Sequence, residues 1–379
     1  MPSTFTSRAV RAIELCVGGY YHLHKQQDVS YASFKRIALL LTSPLGIGDL
    51  LMDTPFLATL RKELPNATIE LITDKQIFEQ IDEVDAIHSI KGNTFALRKQ
   101  CKTLAKRNYD LVVVMNRAIN QTFLAQALAP RHLLGYLGGF TVQATFKLKK
   151  EQLAFTKQEP YRNMALHLAE ALDLKTTTTL IKPKFSSKTV SRVSAFYKKL
   201  SLDRNKKTLL VNAYTLWESR NWAKESYVQL LAKLHAKVNI VLFGGPDAKD
   251  TNEYIKIALA KKGITAYDVA GKLTLPEAMY FTSLVDVLLT SDSGPMHFAL
   301  MMRTPTLALF GPTNPMWYLP EGFENDRTID YVWYADYKPC KMYNYESKLI
   351  DASLAGLHAI PLLAVEKKLR TFLKTGGFS

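Results

Sequence analysis

The stretch from Leu288 to Pro315, LLTSDSGPMHFALMMRTPTLALFGPTNP, limits most sharply how this chain can fold. Leading into it, Val285–Leu289 is an apolar run of the length and content of a buried parallel strand. Thr290–Pro295 breaks that run with a small, polar turn containing Gly and Pro. A helical run, Met296–Met302, follows, and after Thr304-Pro305 a second strand, Thr306–Phe310, ends in Gly311-Pro312. Strand, turn, helix and strand make a βαβ unit, which calls for a parallel sheet. The Ser293-Gly294-Pro295 turn falls where such a unit presents bare backbone N–H groups and the positive end of a helix dipole, a site suited to phosphate. Asp292, His297 and the rigid loop Gly311-Pro312-Thr313-Asn314-Pro315 bring a carboxylate, an imidazole and polar backbone to the same strand end. Ligands of open α/β sheets bind beyond the carboxyl ends of strands. Helix capping by Asp or Ser would produce the turn alone. The combination points to a site.

The same alternation recurs on both sides of this stretch. Ile37–Leu41 is an all-apolar strand. A Gly-rich turn and a helix follow it, with Leu50, Leu57, Leu60 and Leu64 at helical spacing. Pro55 fits the first turn of a helix capped by Asp53 or Thr54, or else kinks one begun at Asp49. Thr68–Ile72, Ala86–Ile90 and Leu111–Met115 read as further strands. Phe95–Arg107, Asn120–Ala127 and Arg162–Leu174 read as helices, and His132–Gly139 as a glycine-rich turn. The Thr-, Ser-, Lys- and Pro-rich residues from 176 onward read as a linker, extending over 176–206. Beyond it come strands Thr208–Asn212 and Val238–Phe243 and helices Lys224–Ala236, Thr251–Lys262, Pro276–Leu284 and Leu362–Leu373. The expected organisation is an extension over 1–35, one α/β domain over 36–175, a second over 207–355, and a terminal helix over 356–379. Two α/β sandwiches facing across a cleft follow from this order.

Composition removes several functional classes. With 379 residues, 47% hydrophobic and 22% charged, the chain has material for two globular domains and not the profile of a disordered one. Cys16, Cys101 and Cys340 lie far apart, so neither a disulfide framework nor a zinc motif is expected, and a reducing compartment is. No apolar run reaches the roughly 18 residues of a membrane span, and the N-terminus lacks the pattern of a secretion signal. The net charge of +15 calls for an anionic partner. No nucleic-acid-binding signature is present, so an anionic membrane surface is the expected partner and nucleic acid is not. Residues 1–35, basic and aromatic, form a short, weakly amphipathic segment that suits a bilayer interface or simple packing on its own domain. His22 and His24 read as surface residues. Gly46 and Gly48 suggest a dinucleotide turn, but Leu51 occupies the third glycine position, which argues against a nicotinamide cofactor.

Two motifs then carry a resemblance. Gly48-Asp49-Leu50-Leu51 with Thr54-Pro55, and Ser291-Asp292-Ser293-Gly294-Pro295-Met296-His297 with Phe310-Gly311-Pro312-Thr313-Asn314-Pro315, resemble signatures of the glycosyltransferase family 9 heptosyltransferases. Arg220-Asn221-Trp222, Phe243-Gly244-Gly245-Pro246 and Gly271-Lys272-Leu273-Thr274-Leu275 fall between them in the family's order. The resemblance covers Ile37 to Pro315. It implies an α/β, GT-B architecture of two Rossmann-like domains, acceptor in the first and donor in the second, here with an N-terminal helical extension. It also implies inverting, metal-independent transfer of a sugar, heptose for this family, from a nucleotide-diphospho-sugar such as ADP-heptose. The acceptor would be a lipid-linked saccharide of lipopolysaccharide, and the enzyme would be cytoplasmic and peripheral on the inner membrane.

Each residue the resemblance marks has a structural alternative. Asp49 fits a helix N-cap or, as the resemblance implies, the base that takes the acceptor hydroxyl's proton. Arg220 stands where the family usually carries Lys and would bind the diphosphate bidentately. Thr215, Ser293 and Gly294 would add donors to the phosphates, and His297 would donate to phosphate or hold its loop. Asp292 would accept from sugar hydroxyls or cap a helix, while Gly46 and Gly48 support the turn. Ala248 occupies the place of the acidic residue with which the family grips ribose, leaving Asp247 or Asp250 for that task. A nucleotide-sugar epimerase with the same fold and a non-catalytic lipid-binding protein are the competing readings.

Overall fold

The computed structural model describes residues 33–42, 47–115, 119–135, 164–178, 180–311, 313–333 and 357–378. The extension expected over 1–35, with His22 and His24, falls almost wholly outside them. The chain divides into two compact units, Met1–Lys184 and Phe185–Ser379.

In the first unit the strands are β1 (Arg36–Leu41), β2 (Thr68–Thr73), β3 (Ala86–Ser89), β4 (Leu111–Val114) and β5 (His132–Gly135). The helices are α1 (Ile47–Met52), α2 (Thr54–Glu63), α3 (Thr94–Leu104), α4 (Ile119–Ala127) and α5 (Met164–Glu170). The sheet runs β3-β2-β1-β4-β5, and every pairing is parallel. Parallel strands covered by helices on both faces have no solvent side, so their sequences are apolar runs rather than alternations. Ile37 to Leu41 are all buried, and burying each large aliphatic side chain is worth about 1.5–3 kcal/mol. α3 and α4 cover one face, where Leu97, Cys101 and Leu124 pack on Ala38, Leu40, Ile72, Val112 and Val114. Asp53 separates α1 from α2, and Pro55 stands in the first turn of α2, where its missing N–H costs nothing.

The stretch expected as a glycine turn, His132–Gly139, instead opens with β5. Gly135 pairs with Val114, and a Cβ there would lie 3.2 Å from the Val114 Cβ, so the strand's glycine serves close strand packing.

The second unit contains α6 (Ser187–Lys199), β6 (Lys207–Asn212), α7 (Lys224–Leu234), β7 (Val238–Phe243), α8 (Lys249–Ala260), β8 (Ala266–Asp268), α9 (Leu275–Thr282), β9 (Val287–Ser291), α10 (Gly294–Met302), β10 (Thr306–Phe310), α11 (Pro315–Tyr318), β11 (Ile329–Trp333) and α12 (Leu362–Thr375). Its sheet order is β11-β10-β9-β6-β7-β8, again all parallel. Much of the stretch read as linker is α6, which begins at Ser186, whose side chain accepts from the Thr189 amide. Thr189 and Val193 are buried, and the rings of Phe196 and Tyr197 lie 6.1 and 5.6 Å from that of Phe281 on α9. α12 is tied down by Lys368 on Asp330 (2.7 Å) and Glu366 on Lys233 (2.8 Å). It ends at Gly376, which adopts φ 75°, the left-handed conformation glycine takes at helix ends. No helix among the described residues is long and apolar enough to cross a membrane.

Candidate active site

Strand order reverses direction twice in this chain, and each reversal opens a crevice at the carboxyl edge of a sheet. In the second unit the reversal lies between β6 and β9. Asn212, at the end of β6 and 1% exposed, donates through Nδ2 to Thr290 Oγ1 and Ser293 Oγ, each at 3.1 Å. One amide thus fastens both strands beside the turn that starts α10. Ser293 is the N-cap of α10 with extended backbone, yet its hydroxyl does not cap the helix and donates to the Ser291 carbonyl at 2.9 Å. The first amides of α10 are therefore left to a ligand rather than to a capping side chain. Pro295, in the first turn, carries no N–H of its own.

A loop after β6 brings a cation to this turn. Thr215 and Asn221 clasp it through backbone and amide, with Thr215 N donating to Asn221 Oδ1 (2.7 Å) and Asn221 Nδ2 to Thr215 O (3.0 Å). Trp222, buried, donates from Nε1 to Ile360 O at 3.1 Å and anchors the far end. Between them Arg220 places Nη1 3.2 Å from Asp292 Oδ2, with its guanidinium 4.9 Å from the Trp217 ring centre. The Arg220 Nε is buried and has no hydrogen-bond partner among the described residues. An arginine held this way, charged and short of one acceptor, is equipped for a further anion. Gly311 makes the approach possible: a Cβ there would meet the Ser219 carbonyl at 2.8 Å and Leu357 at 3.0 Å. The loop also lines a cavity of about 480 Å³, with Thr215, Asn221, Lys224 and Thr251 of α8 among its walls.

Asp292 is 2% exposed, and its Oδ2 accepts from Thr313 Oγ1 at 2.8 Å as well as from Arg220. It is thus spent at least partly on aiming the arginine. His297 stands on the first turn of α10, 5% exposed. Burial pushes its pKa down to about 4, against the pull of Asp292 and with the help of Arg220, so the ring is neutral at pH 7. A neutral imidazole there can donate one hydrogen bond but carries no charge. Thr215 Oγ1 already donates to Trp217 O at 2.9 Å.

The expected ribose carboxylates lie one strand away. Asp247 is exposed in the turn Pro246–Ala248 and Asp250 is exposed in the first turn of α8, both beyond the end of β7. Gly244, at φ 142°, lets this turn pass Asn212, since a Cβ would sit 3.3 Å from Asn212 Oδ1 and 2.6 Å from Ala248 Cβ. In the first unit, Asp49 and Gly48 fall on α1, directly after β1 at that sheet's own reversal between β1 and β4. The Asp49 side chain and Gly46 lie outside the described residues. Asn212, Trp217, Gly311 and Thr313 were not singled out individually from sequence. Gly311 and Thr313 stand in the motif loop from Gly311 to Pro315, and Asn212 closes an apolar strand with a polar residue, whereas Trp217 carries no such signal.

The sequence model of glycosyltransferase family 9 (heptosyltransferase) matches residues 97–329, more than half of the chain. This chain belongs to that family. It is a glycosyltransferase with two parallel-sheet α/β units, as the GT-B resemblance implied. Among its curated relatives, lipopolysaccharide heptosyltransferase 3 of Escherichia coli K12 is 24% identical over 290 residues, covering 72% of this chain and 82% of the relative. A second Escherichia coli lipopolysaccharide heptosyltransferase 3 is 22% identical over 350 residues, covering 87% and 98%. Among solved structures, the family 9 glycosyl transferase of Veillonella parvula superposes with a TM-score of 0.72 at 20% identity, covering 92% of this glycosyltransferase and 99% of that chain. Escherichia coli ADP-heptose lipopolysaccharide heptosyltransferase II superposes at 0.67 with 18% identity, covering 90% and 99%.

Proposed function

We propose that this family 9 glycosyltransferase moves a heptose from ADP-heptose to a lipid-linked lipopolysaccharide acceptor, with inversion and without a metal, at the cytoplasmic face of the inner membrane. The observation that carries the reading is Arg220, half-buried beside the open start of α10 with its Nε buried and unpartnered among the described residues. In the reaction the acceptor oxygen attacks the anomeric carbon, the bond from that carbon to the β-phosphate oxygen breaks, and ADP departs with the electron pair. Asp49 takes the acceptor proton, a role supported by its place after β1 at the first sheet's reversal. Arg220, the amides of Ser293 and Gly294, and a neutral His297 receive the charge that grows on the diphosphate. Fixed donors and one permanent cation take the part a divalent ion plays elsewhere. The cavity beside Thr215 and Asn221 gives the rest of the donor room, and Asp247 or Asp250 is the candidate to meet the ribose. Relatives named as lipopolysaccharide heptosyltransferases support heptose and lipopolysaccharide as the transferred sugar and acceptor.

A thermal-shift screen against ADP, UDP, GDP, CMP and dTDP tests the donor. A ligand at one hundred times its Kd stabilises by about 2.7 kcal/mol. ADP alone raising the unfolding temperature is the expected result. A shift with UDP or GDP instead contradicts ADP-heptose, and no shift with any nucleotide contradicts the phosphate site.

A further inference from the structure

One helix face in the first unit has no part in the chemistry described above. Between Lys91 and Asn108 the sequence contains Lys91, Arg98, Lys99, Lys102, Lys106 and Arg107 and no Asp or Glu. Two of these cations are already committed. Arg107 pairs with the buried Glu70, and the Arg98 guanidinium sits 4.4 Å above the Phe123 ring. The others are arranged for solvent. Leu97 and Cys101 turn inward, while Phe95, Lys99 and Lys102 recur at offsets of four and seven and so share one side of α3, and Lys106 follows in the 3₁₀ turn Ala105–Arg107 that continues it. All four are exposed, Phe95 at 77%. No ion pair engages the three lysines among the described residues. The flanking carboxylates are turned elsewhere: Asp85 accepts from Arg61 and the Ile69 amide, Asp110 accepts from the Lys35 and Arg36 amides, and Glu70 is enclosed by Arg36, Arg107, His88 and Tyr109. The result is a stripe about 10 Å long from Phe95 to Lys102 at 1.5 Å per residue, with Lys106 about one turn beyond, a bare aromatic ring at one end and three unneutralised ammonium groups behind it.

We infer that this face of α3 docks the enzyme on an anionic lipid bilayer. An exposed ring enters the interfacial layer while lysines on the same face meet lipid phosphates, the division of labour of an interfacial helix. Charge complementarity selects an anionic surface. The choice of lipid over nucleic acid rests on the lipid-linked acceptor of the proposed function. The docking surface is thus part of the folded first unit, whatever the N-terminal extension contributes.

The experiment uses the full chain and vesicles free of saccharide acceptor, so that docking is read separately from transfer. Partition is measured by co-sedimentation with phosphatidylcholine vesicles, with and without about one-third phosphatidylglycerol, at low salt and at about 0.5 M salt. Each lysine near such a surface contributes roughly fivefold. The triple variant Lys99→Gln, Lys102→Gln, Lys106→Gln should therefore bind anionic vesicles about a hundredfold more weakly. Its unfolding temperature and its turnover of detergent-dispersed acceptor should be unchanged. Phe95→Ser should weaken binding while preserving its salt dependence. A control triple, Lys188→Gln, Lys198→Gln, Lys199→Gln on α6, removes the same charge and should lose less than tenfold. Equal losses in the two triples, or wild-type protein that ignores anionic vesicles at low salt, would overturn the inference. So would tighter binding to single-stranded DNA than to vesicles, lost in the α3 triple. Failure of transfer with vesicle binding intact would count against the proposed reaction and not against the docking face.

Discussion

Lowering the pH from 7 to 4 should cost the second unit about 3 kcal/mol through His297 alone. The ring is buried on the first turn of α10 with a pKa lowered from 6.5 to about 4. In the unfolded chain it regains a value near 6.5. Between those values the unfolded state binds the proton and the folded state does not, so stability rises with pH across the window. It is fully present above about pH 6.5 and is lost as the pH falls through 6 and 5 toward 4. At about 1.4 kcal/mol for each pH unit the loss is about 2 kcal/mol at pH 5 and about 3 kcal/mol at pH 4. Carboxylates also protonate on the way down, so the single-site effect needs a difference measurement. Urea unfolding of wild type and His297→Gln, followed by tryptophan fluorescence at pH 7 and pH 5, isolates it: the gap between them should narrow by about 2 kcal/mol. NMR of protein carrying ¹³C-labelled histidine reads the same quantity directly, with the variant assigning the signal. A His297 resonance with a midpoint near 6.5 would refute the reasoning, because it would mean a solvated ring. Added ADP should raise the midpoint if diphosphate docks beside the ring.

The remaining predictions concern the supports of the site and the first unit's buried charge. Arg220→Ala should weaken ADP binding by about 10–100-fold, as expected for losing charge-assisted hydrogen bonds, with calorimetric titration as the readout. Gly311→Ala should push the Ser219 carbonyl away and displace Arg220. Its ADP affinity should fall several-fold more than its unfolding temperature suggests. Glu70→Ala removes the shared acceptor of Arg36, Arg107, His88 and Tyr109, leaves the buried Tyr109 hydroxyl unpartnered, and should cost the first unit about 1–3 kcal/mol. Burial would raise the Glu70 pKa, but the bonds from Arg107, Tyr109 and His88 hold it below 4.5. Its contribution is therefore present above pH 4.5 and lost at lower pH. Hydrogen exchange in β1, β2 and β4 should quicken in that variant while α10 and β9 keep their protection.

The strands around Leu288–Phe310 were legible because a buried parallel strand is a bare apolar run and a Gly/Pro turn marks its end. β5 was not, since Gly135 looks like a turn residue until Val114 is seen packed beneath it. β8 is only Ala266–Asp268, too short to show a period, and β11 at the sheet edge alternates weakly as IDYVW. α6 was hidden by its Ser, Thr and Lys, whose composition imitates a linker while Val193, Phe196 and Tyr197 supply the packing face. At the site, the turn, Asp292, Arg220 and His297 could be named from motifs. The bond from Thr313 to Asp292, the stacking of Trp217 on Arg220 and the clearance at Gly311 join residues from different loops, and no local pattern encodes them.

Transfer of heptose with Asp49 as base is tested most directly by pairing the wild type with one variant. Wild type and Asp49→Asn are incubated with ADP-heptose and heptose-deficient lipopolysaccharide core, following ADP release and the mass of the acceptor together. Wild type should release ADP and add one heptose, while Asp49→Asn should bind ADP with unchanged affinity and transfer at least a hundredfold more slowly. Asp49→Asn transferring at the wild-type rate would remove the base. Wild type leaving the acceptor mass unchanged would contradict the heptosyl transfer itself.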